Sequence, residues 1–253
     1  MTMLALAPPA LDALTVVREL NHRVNNDFAS AINIVSVGVM LADDSEVKAA
    51  LSKVVELLHR YAEVHRALAI PQRGTLTDAA EYLRRLGVAI SRSRLDRINI
   101  RLVLAADPLL LEADRCWRLG LIVHELVTNC ARHACFDNRD GEIRIELGRA
   151  GSMVNCRISD NGSRAKLKPG CGLKIVTQLA RSLEGRLKSD LDDESTSLVI
   201  RFPLSERERQ PNHIVSRNAR TKRHLKAARL LCSRLAAAPL AGGDSHALQP
   251  HGH

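Results

Sequence analysis

From Leu14 an apolar series runs Leu14, Val17, Val24, Phe28, Ala31 and Val35, with Asn21 as its one polar interruption. The steps alternate between 3 and 4 residues, the spacing of a coiled-coil seam, and predict a long helix. Asp43-Asp44-Ser45 then offers N-cap side chains, and the series restarts as Val47, Leu51, Val54, Leu58, Tyr61, His65 and Leu68 until Pro71 and Gly74 end it. Each helix is roughly 25 to 30 residues, about 40 Å long. A two-helix hairpin alone cannot bury both stripes, whereas a homodimeric four-helix bundle would.

Beyond Pro71 the pattern changes to that of an α+β sandwich. A helix is expected over Thr77 to Leu95, a strand over Ile98 to Leu104, and a second helix from about Glu112 to Cys135. Two alternating runs, Glu142 to Leu147 and Met153 to Ser159, flank a tight Arg149-Ala-Gly-Ser turn and predict a β-hairpin. A Gly-rich loop, Asp160 to Gly172, feeds a helix over Leu173 to Leu183, and strands near Arg186 to Ser189 and Ser197 to Phe202 close the module. The expected domains are thus a hairpin over 11–70, a sandwich over 75–204 and a basic, mostly disordered tail over 205–253.

Composition narrows the classes. Of 253 residues only 2% are aromatic, which leaves few rings for stacking nucleic-acid bases. The formal charge is +9, but the tail holds nine Lys/Arg against three Asp/Glu, so the other 204 residues carry only +3. The basic character is local, and a solvated extension explains it better than a nucleic-acid site. The six cysteines (116, 130, 135, 156, 171, 232) form no C-x-x-C pair, so neither a zinc site nor a disulfide framework is expected. No window approaches 18 uninterrupted apolar residues, and no secretory leader pattern precedes Leu11. A cytoplasmic protein with reduced thiols and no membrane span is the expectation.

Candidate chemistry sits in three places. In Leu121-Ile-Val-His-Glu-Leu-Val-Thr-Asn-Cys-Ala-Arg-His-Ala134, Glu125 and Asn129 are one helical turn apart and share a face, with Arg132 and His133 following. Buried polar groups need partners, and this set suits magnesium and nucleotide phosphates. Ser159-Asp-Asn-Gly162 ends a strand. Asp160 can accept from an exocyclic amine and Gly162 lets a flat ring approach, although Asp-Asn-Gly is also an ordinary turn. Pro169-Gly-Cys-Gly-Leu173 places two glycines before a helix, as an anion site or a plain helix-start turn does.

The order of the three is more specific than any one. The chain resembles the ATP-binding domain of histidine kinases, within the GHKL group that includes gyrase and MutL. Glu125-x-x-x-Asn129-x-x-Arg132-His133 resembles the N-box, Asp160-x-Gly162 the adenine-contacting motif, Gly170-x-Gly172-Leu173 the phosphate-facing lid, and Thr196 the family's closing Gly-Thr. Upstream, Leu20-Asn-His-Arg-Val-Asn-Asn-Asp-Phe-Ala29 is similar to the phosphoacceptor box of kinases of the HWE / His-Arg-Val-Lys-Asn type, with Asn25 standing where the family has lysine. The resemblance implies a GHKL/Bergerat-type α/β sandwich behind a dimerising helical hairpin. It further implies ATP and Mg2+ as ligands with Asn129 on the metal, His22 as nucleophile and Glu125 as its polarising partner. Asn26, at i+4 from His22, would orient water. The implied partners are a second copy of the chain, a response-regulator receiver domain and a separate sensor protein. Two rival readings are a phosphotransferase that relays phosphate without ATP, and a scaffold or nucleic-acid binder acting through the tail.

Overall fold

The structure is a computed structural model and describes residues 13–72, 74–133, 136, 140–162, 171–192 and 195–215. The hairpin is α1 (Ala13–Leu41) and α2 (Ser45–Ala67). Asp44 caps α2 by accepting the Glu46 N–H at 2.7 Å. All seven α1 positions from Leu14 to Val35 are half-buried against α2, and the rings of Phe28 and His65 stack obliquely at 5.1 Å.

The α2 series behaves differently from expectation. Leu51, Leu58 and Leu68 are half-buried, but Val47, Val54 and Tyr61 are 38–48% exposed and His65 is also exposed. On α1, Val16, Leu20, Ile34, Val37, Met40 and Leu41 face solvent too. The reason is geometric: each helix has one neighbour in the hairpin, while its apolar residues cover more than one seam. By length and composition alone, Leu14–Leu41 is also apolar enough to cross a membrane. Its first half, however, carries Arg18, Glu19, Arg23 and Asp27, charges that hydrocarbon disfavours strongly.

The second module begins with β1 (Leu76–Asp78) and α3 (Ala79–Ile90), which passes through a wide π turn at Ser91–Leu95 and a 3-10 turn at Asp96–Ile98. Then come β2 (Ile100–Ala106), β3 (Leu110–Glu112) and α4 (Ala113–His133). The rest is β4 (Gly141–Ala150), β5 (Met153–Asp160), α5 (Cys171–Ser182), β6 (Arg186–Asp192) and β7 (Ser195–Pro203). Two short strands were not expected: β1 and β3 pair antiparallel, Leu76 opposite Glu112. Three-residue strands carry no period-two signal. Asp78 ends β1 by capping α3, accepting the Ala80 N–H at 3.0 Å, so the helix starts two residues later than expected.

The main sheet has the order β2-β4-β5-β7-β6, with β2 and β4 parallel and all other pairs antiparallel. Helices α3, α4 and α5 cover one face. Ile143, Ile145 and Leu147, then Val154, Cys156 and Ile158, then Leu198, Ile200 and Phe202 alternate inward to meet Leu83, Leu86, Leu119, Ile122, Leu126 and Val176. The other face is polar, with Arg101, Arg144, Glu146, Arg157 and Arg201 exposed. The β4–β5 turn shrinks to Gly151-Ser152, and Gly151 takes the positive φ of 60° such a turn needs.

The boundary expected at residue 205 is corrected. Residues 206–215 form a helix, α6, and the compact unit runs to Asn212. Glu208 is fully buried: it accepts the N–H groups of Glu112 and Ser205, each at 2.8 Å, and pairs with Arg115 at 3.0 Å. Asn212, 1% exposed, accepts the Leu110 N–H at 2.8 Å and donates to the Leu110 carbonyl. A run of alternating charges looks solvated in sequence, yet two of its polar side chains close the edge strand β3. The remainder of the expected tail, 216–253, lies outside the described residues.

Candidate nucleotide and phosphoacceptor sites

The N-box residues ride on α4 because its other face is apolar. Leu119, Ile122, Val123, Leu126, Val127 and Cys130 are buried, which turns Glu125 and Asn129, both half-buried, away from the sheet. α5 packs beside them. A Cβ built on Gly172 would lie 3.2 Å from Asn129 Nδ2 and 3.2 Å from Glu125 Oε2. Any side chain at 172 therefore pushes on both polar groups, and glycine keeps the cradle open. Leu173 is half-buried in the first turn of α5.

At the end of β5, Asp160 is 3% exposed and accepts the Gly162 N–H at 3.2 Å. Thr196 is opposite Asp160 in the β5–β7 ladder. Arg132 and His133 are exposed at the C-terminal end of α4. Gly170 lies outside the described residues. Sequence reasoning missed Asn161, read only as part of a turn: it accepts the Glu142 N–H at 2.7 Å and donates to the Asp140 carbonyl at 2.9 Å, tying the start of β4 to the Asp160 loop. An Asx side chain beside a strand end was the available signal.

His124 precedes Glu125, with Nδ1 3.8 Å from Oε1. Burial pushes its pKa below the usual 6.5; Glu125 pulls it up, and Arg94 and His65 push it down again. The imidazole is therefore neutral near pH 7. His65 belongs to α2, so this end of the N-box faces the hairpin. Burial also pushes the thiols of Cys116 and Cys156 up to about 12, which leaves both protonated and unreactive.

On α1, His22 and Asn26 are both exposed, one turn apart on the same face. Arg23 pairs with Glu19 at 3.0 Å, also in solvent. Asn25 is half-buried, and its Oδ1 is shielded with no hydrogen-bond partner among the described residues. Among the described residues no hydrogen bond or ion pair joins His22 to α4, so the His22 face of α1 and the polar face of α4 stand on separate elements.

Two family models match in tandem: one described as histidine kinase over residues 19–94, and one described as histidine kinase-like ATPase domain over 92–202. The chain belongs to the histidine kinases. It is 27% identical over 205 residues to the sensor histidine kinase PdtaS of Mycobacterium tuberculosis, a match covering 76% of this chain and 40% of that protein. Blue-light-activated histidine kinase 2 of Erythrobacter litoralis is likewise 27% identical, over 74% of this chain and 57% of the relative. The chain thus matches about half the length of these curated relatives. Among solved structures, the histidine kinase domain of the Erythrobacter litoralis EL346 blue-light activated histidine kinase aligns with a TM-score of 0.50 at 21% identity, covering 71% of this chain and 98% of that one. That likeness supports the two-layer fold.

Proposed function

We propose that the chain is a protein-histidine kinase that phosphorylates His22 from Mg-ATP and hands the phosphoryl group to a response-regulator aspartate. The observation that carries the reading is the meeting of Glu125, Asn129 and Gly172 across α4 and α5, three residues 47 positions apart at most that share one cradle. In this reading Asp160 holds the adenine amine, Thr196 stands across the ladder from it, and the first turn of α5, with Gly172 and Leu173, faces the phosphates. Gly162, Gly170, Arg132 and His133 complete the nucleotide contacts.

The donor set fits magnesium. No trio of His, Cys, Asp or Glu that would cage a metal exists among the described residues, and magnesium is ordinarily held by one or two protein oxygens together with phosphate oxygens and water. Asn129, through its carboxamide oxygen, with Glu125 beside it supplies such a partial set. When bound, the ion would neutralise phosphate charge.

His22 attacks as a neutral imidazole, since a protonated ring has no free lone pair. A nitrogen–phosphorus bond forms as the bond from the γ-phosphorus to the bridging oxygen breaks, ADP leaves with that electron pair, and the displaced proton passes to Glu125. Exposure of His22 suits a nucleophile that must meet first a nucleotide and then a receiver domain. The uncovered apolar residues of α1 and α2 suit a homodimeric four-helix bundle, and the same reading places the protein in the cytoplasm with its input from a separate sensor protein.

The test is label transfer from γ-labelled ATP to the full chain. An acid-labile, base-stable label that is absent in His22→Ala, with nucleotide affinity retained, is the expected result. A label that persists in His22→Ala overturns the assignment. Absence of nucleotide binding in the unmodified chain would favour the phosphate relay instead.

A further inference from the structure

A cavity of about 620 Å³ opens where the end of α2, the connector through Pro71 and the outer face of α3 meet. It lies apart from the nucleotide cradle, and its volume is in the range of small-molecule sites. Its apolar wall includes Ile70, Pro71 and Val88, and Val88 is 48% exposed although it sits on a helix whose other apolar side chains are mostly buried. Around that wall stand Arg66, Arg85 and Arg92, all exposed, and none has a carboxylate within salt-bridge distance among the described residues. Two carboxylates line the same cavity. Glu81 is already paired with Arg84, which leaves Glu63 against three guanidinium groups.

An apolar concavity edged by unpaired guanidinium groups is complementary to a molecule with an apolar body and an acidic head. Each planar fork can bind a carboxylate, sulfonate or phosphate oxygen pair, and the like charges now facing one another would be neutralised. We propose that this cavity binds a small amphipathic anion, its head on Arg66, Arg85 and Arg92 and its body against Ile70, Pro71 and Val88.

The cavity also reaches a residue that touches both modules. Tyr82 lines it, donates from its hydroxyl to the Ala69 carbonyl at 3.5 Å, and lays its ring over Gly120 of α4, where a Cβ would come within 2.5 Å of the ring. An occupant bridging α2 and α3 therefore bears on the connector and on the helix that carries Glu125. The site does not depend on the kinase reading.

The test uses anilinonaphthalene sulfonate, an amphipathic sulfonate, titrated by fluorescence into the full chain saturated with a non-hydrolysable ATP analogue. One saturable probe per chain is expected, bound about tenfold more weakly after Arg85→Glu with Arg92→Glu, and lost after Val88→Trp, which fills the cavity. Met40→Ser, on the outer hairpin face, should leave the affinity unchanged. An affinity indifferent to the double charge reversal, or lost in Met40→Ser, overturns the proposal. If the reversed variant melts early by circular dichroism, Arg85→Gln with Arg92→Gln takes its place and must show the same weakening.

Discussion

The hairpin and the sheet module are built by opposite means. The module encloses a core in which whole strands alternate inward under three helices, so its apolar surface is satisfied within one chain. Among the described residues the hairpin buries only Ala62 and Val64 outright and leaves Ile34, Met40 and Leu41 more than 70% exposed. One half completes its core by its own fold, and the other leaves apolar side chains uncovered, the surface that the homodimer proposed above would close. Independence suits a nucleotide cradle, which needs fixed geometry. An unfinished core suits the phosphoacceptor role proposed above for the hairpin, in which partners would be admitted in turn.

The sharpest way to break the self-sufficiency of the module is Glu208→Ala. It takes a fully buried carboxylate away from its three donors and leaves Arg115, with 11% of its side chain exposed, uncompensated beneath α6. Breaking a buried pair of this kind costs about 3–5 kcal/mol. Urea unfolding followed by Trp117 fluorescence should report that loss, and a change under about 1 kcal/mol would mean that α6 is an ornament rather than part of the core.

On the hairpin side, Ile34→Asp with Met40→Asp should shift the chain from dimer to monomer in sedimentation. Each side chain buried in an association is worth roughly 1.5–3 kcal/mol, so the dissociation constant should rise by at least about a hundredfold. The urea midpoint of the module should stay where it was. A chain that is monomeric before mutation would remove the argument for a dimeric bundle.

The contrast was partly visible in the amino-acid order. The α1 stripe from Leu14 to Val35, the cap at Asp44 and the polar face of α4 all follow from local spacing, because each is a periodic or capping signal within one element. Glu125 and Asn129 were legible for the same reason. Their meeting with Gly172 was implied by the family resemblance alone and not by spacing, since it depends on how α5 packs on α4, a long-range fact. Residues 206–212 were misjudged because Glu208 and Asn212 are polar in type but interior in place, and nothing local distinguishes a charge that finds a buried arginine from one that finds water. β1 and β3 were too short to show a period.

A smaller effect tests the surface where the halves face each other. His124 takes up its proton less readily in the folded chain than in the unfolded one, because burial holds its pKa below 6.5. Below that value the unfolded chain binds more protons, so acidification removes stability that is fully present at neutral pH. The melting temperature should fall between about pH 7 and pH 5, and His124→Gln should flatten that part of the fall. Identical slopes in the two proteins would show that His124 is not closed off from water.

The smallest effect compares one chemistry in both settings. Asp44 and Asp78 each cap a helix by accepting the N–H two residues on, at 2.7 and 3.0 Å. Asp44 is exposed at the hairpin tip, whereas Asp78 is half-buried and also accepts the Leu109 N–H at 3.5 Å. Asp44→Ala should cost about 0.5–1 kcal/mol, the low end for a lost cap. Asp78→Ala should cost about 2 kcal/mol, because it leaves two backbone donors at the β1–β3 edge without their acceptor. Equal losses in thermal melts would mean that the tip of the hairpin is as closely enclosed as the module's edge, and the difference in how the two halves are held together would then have to lie in the bundle face alone.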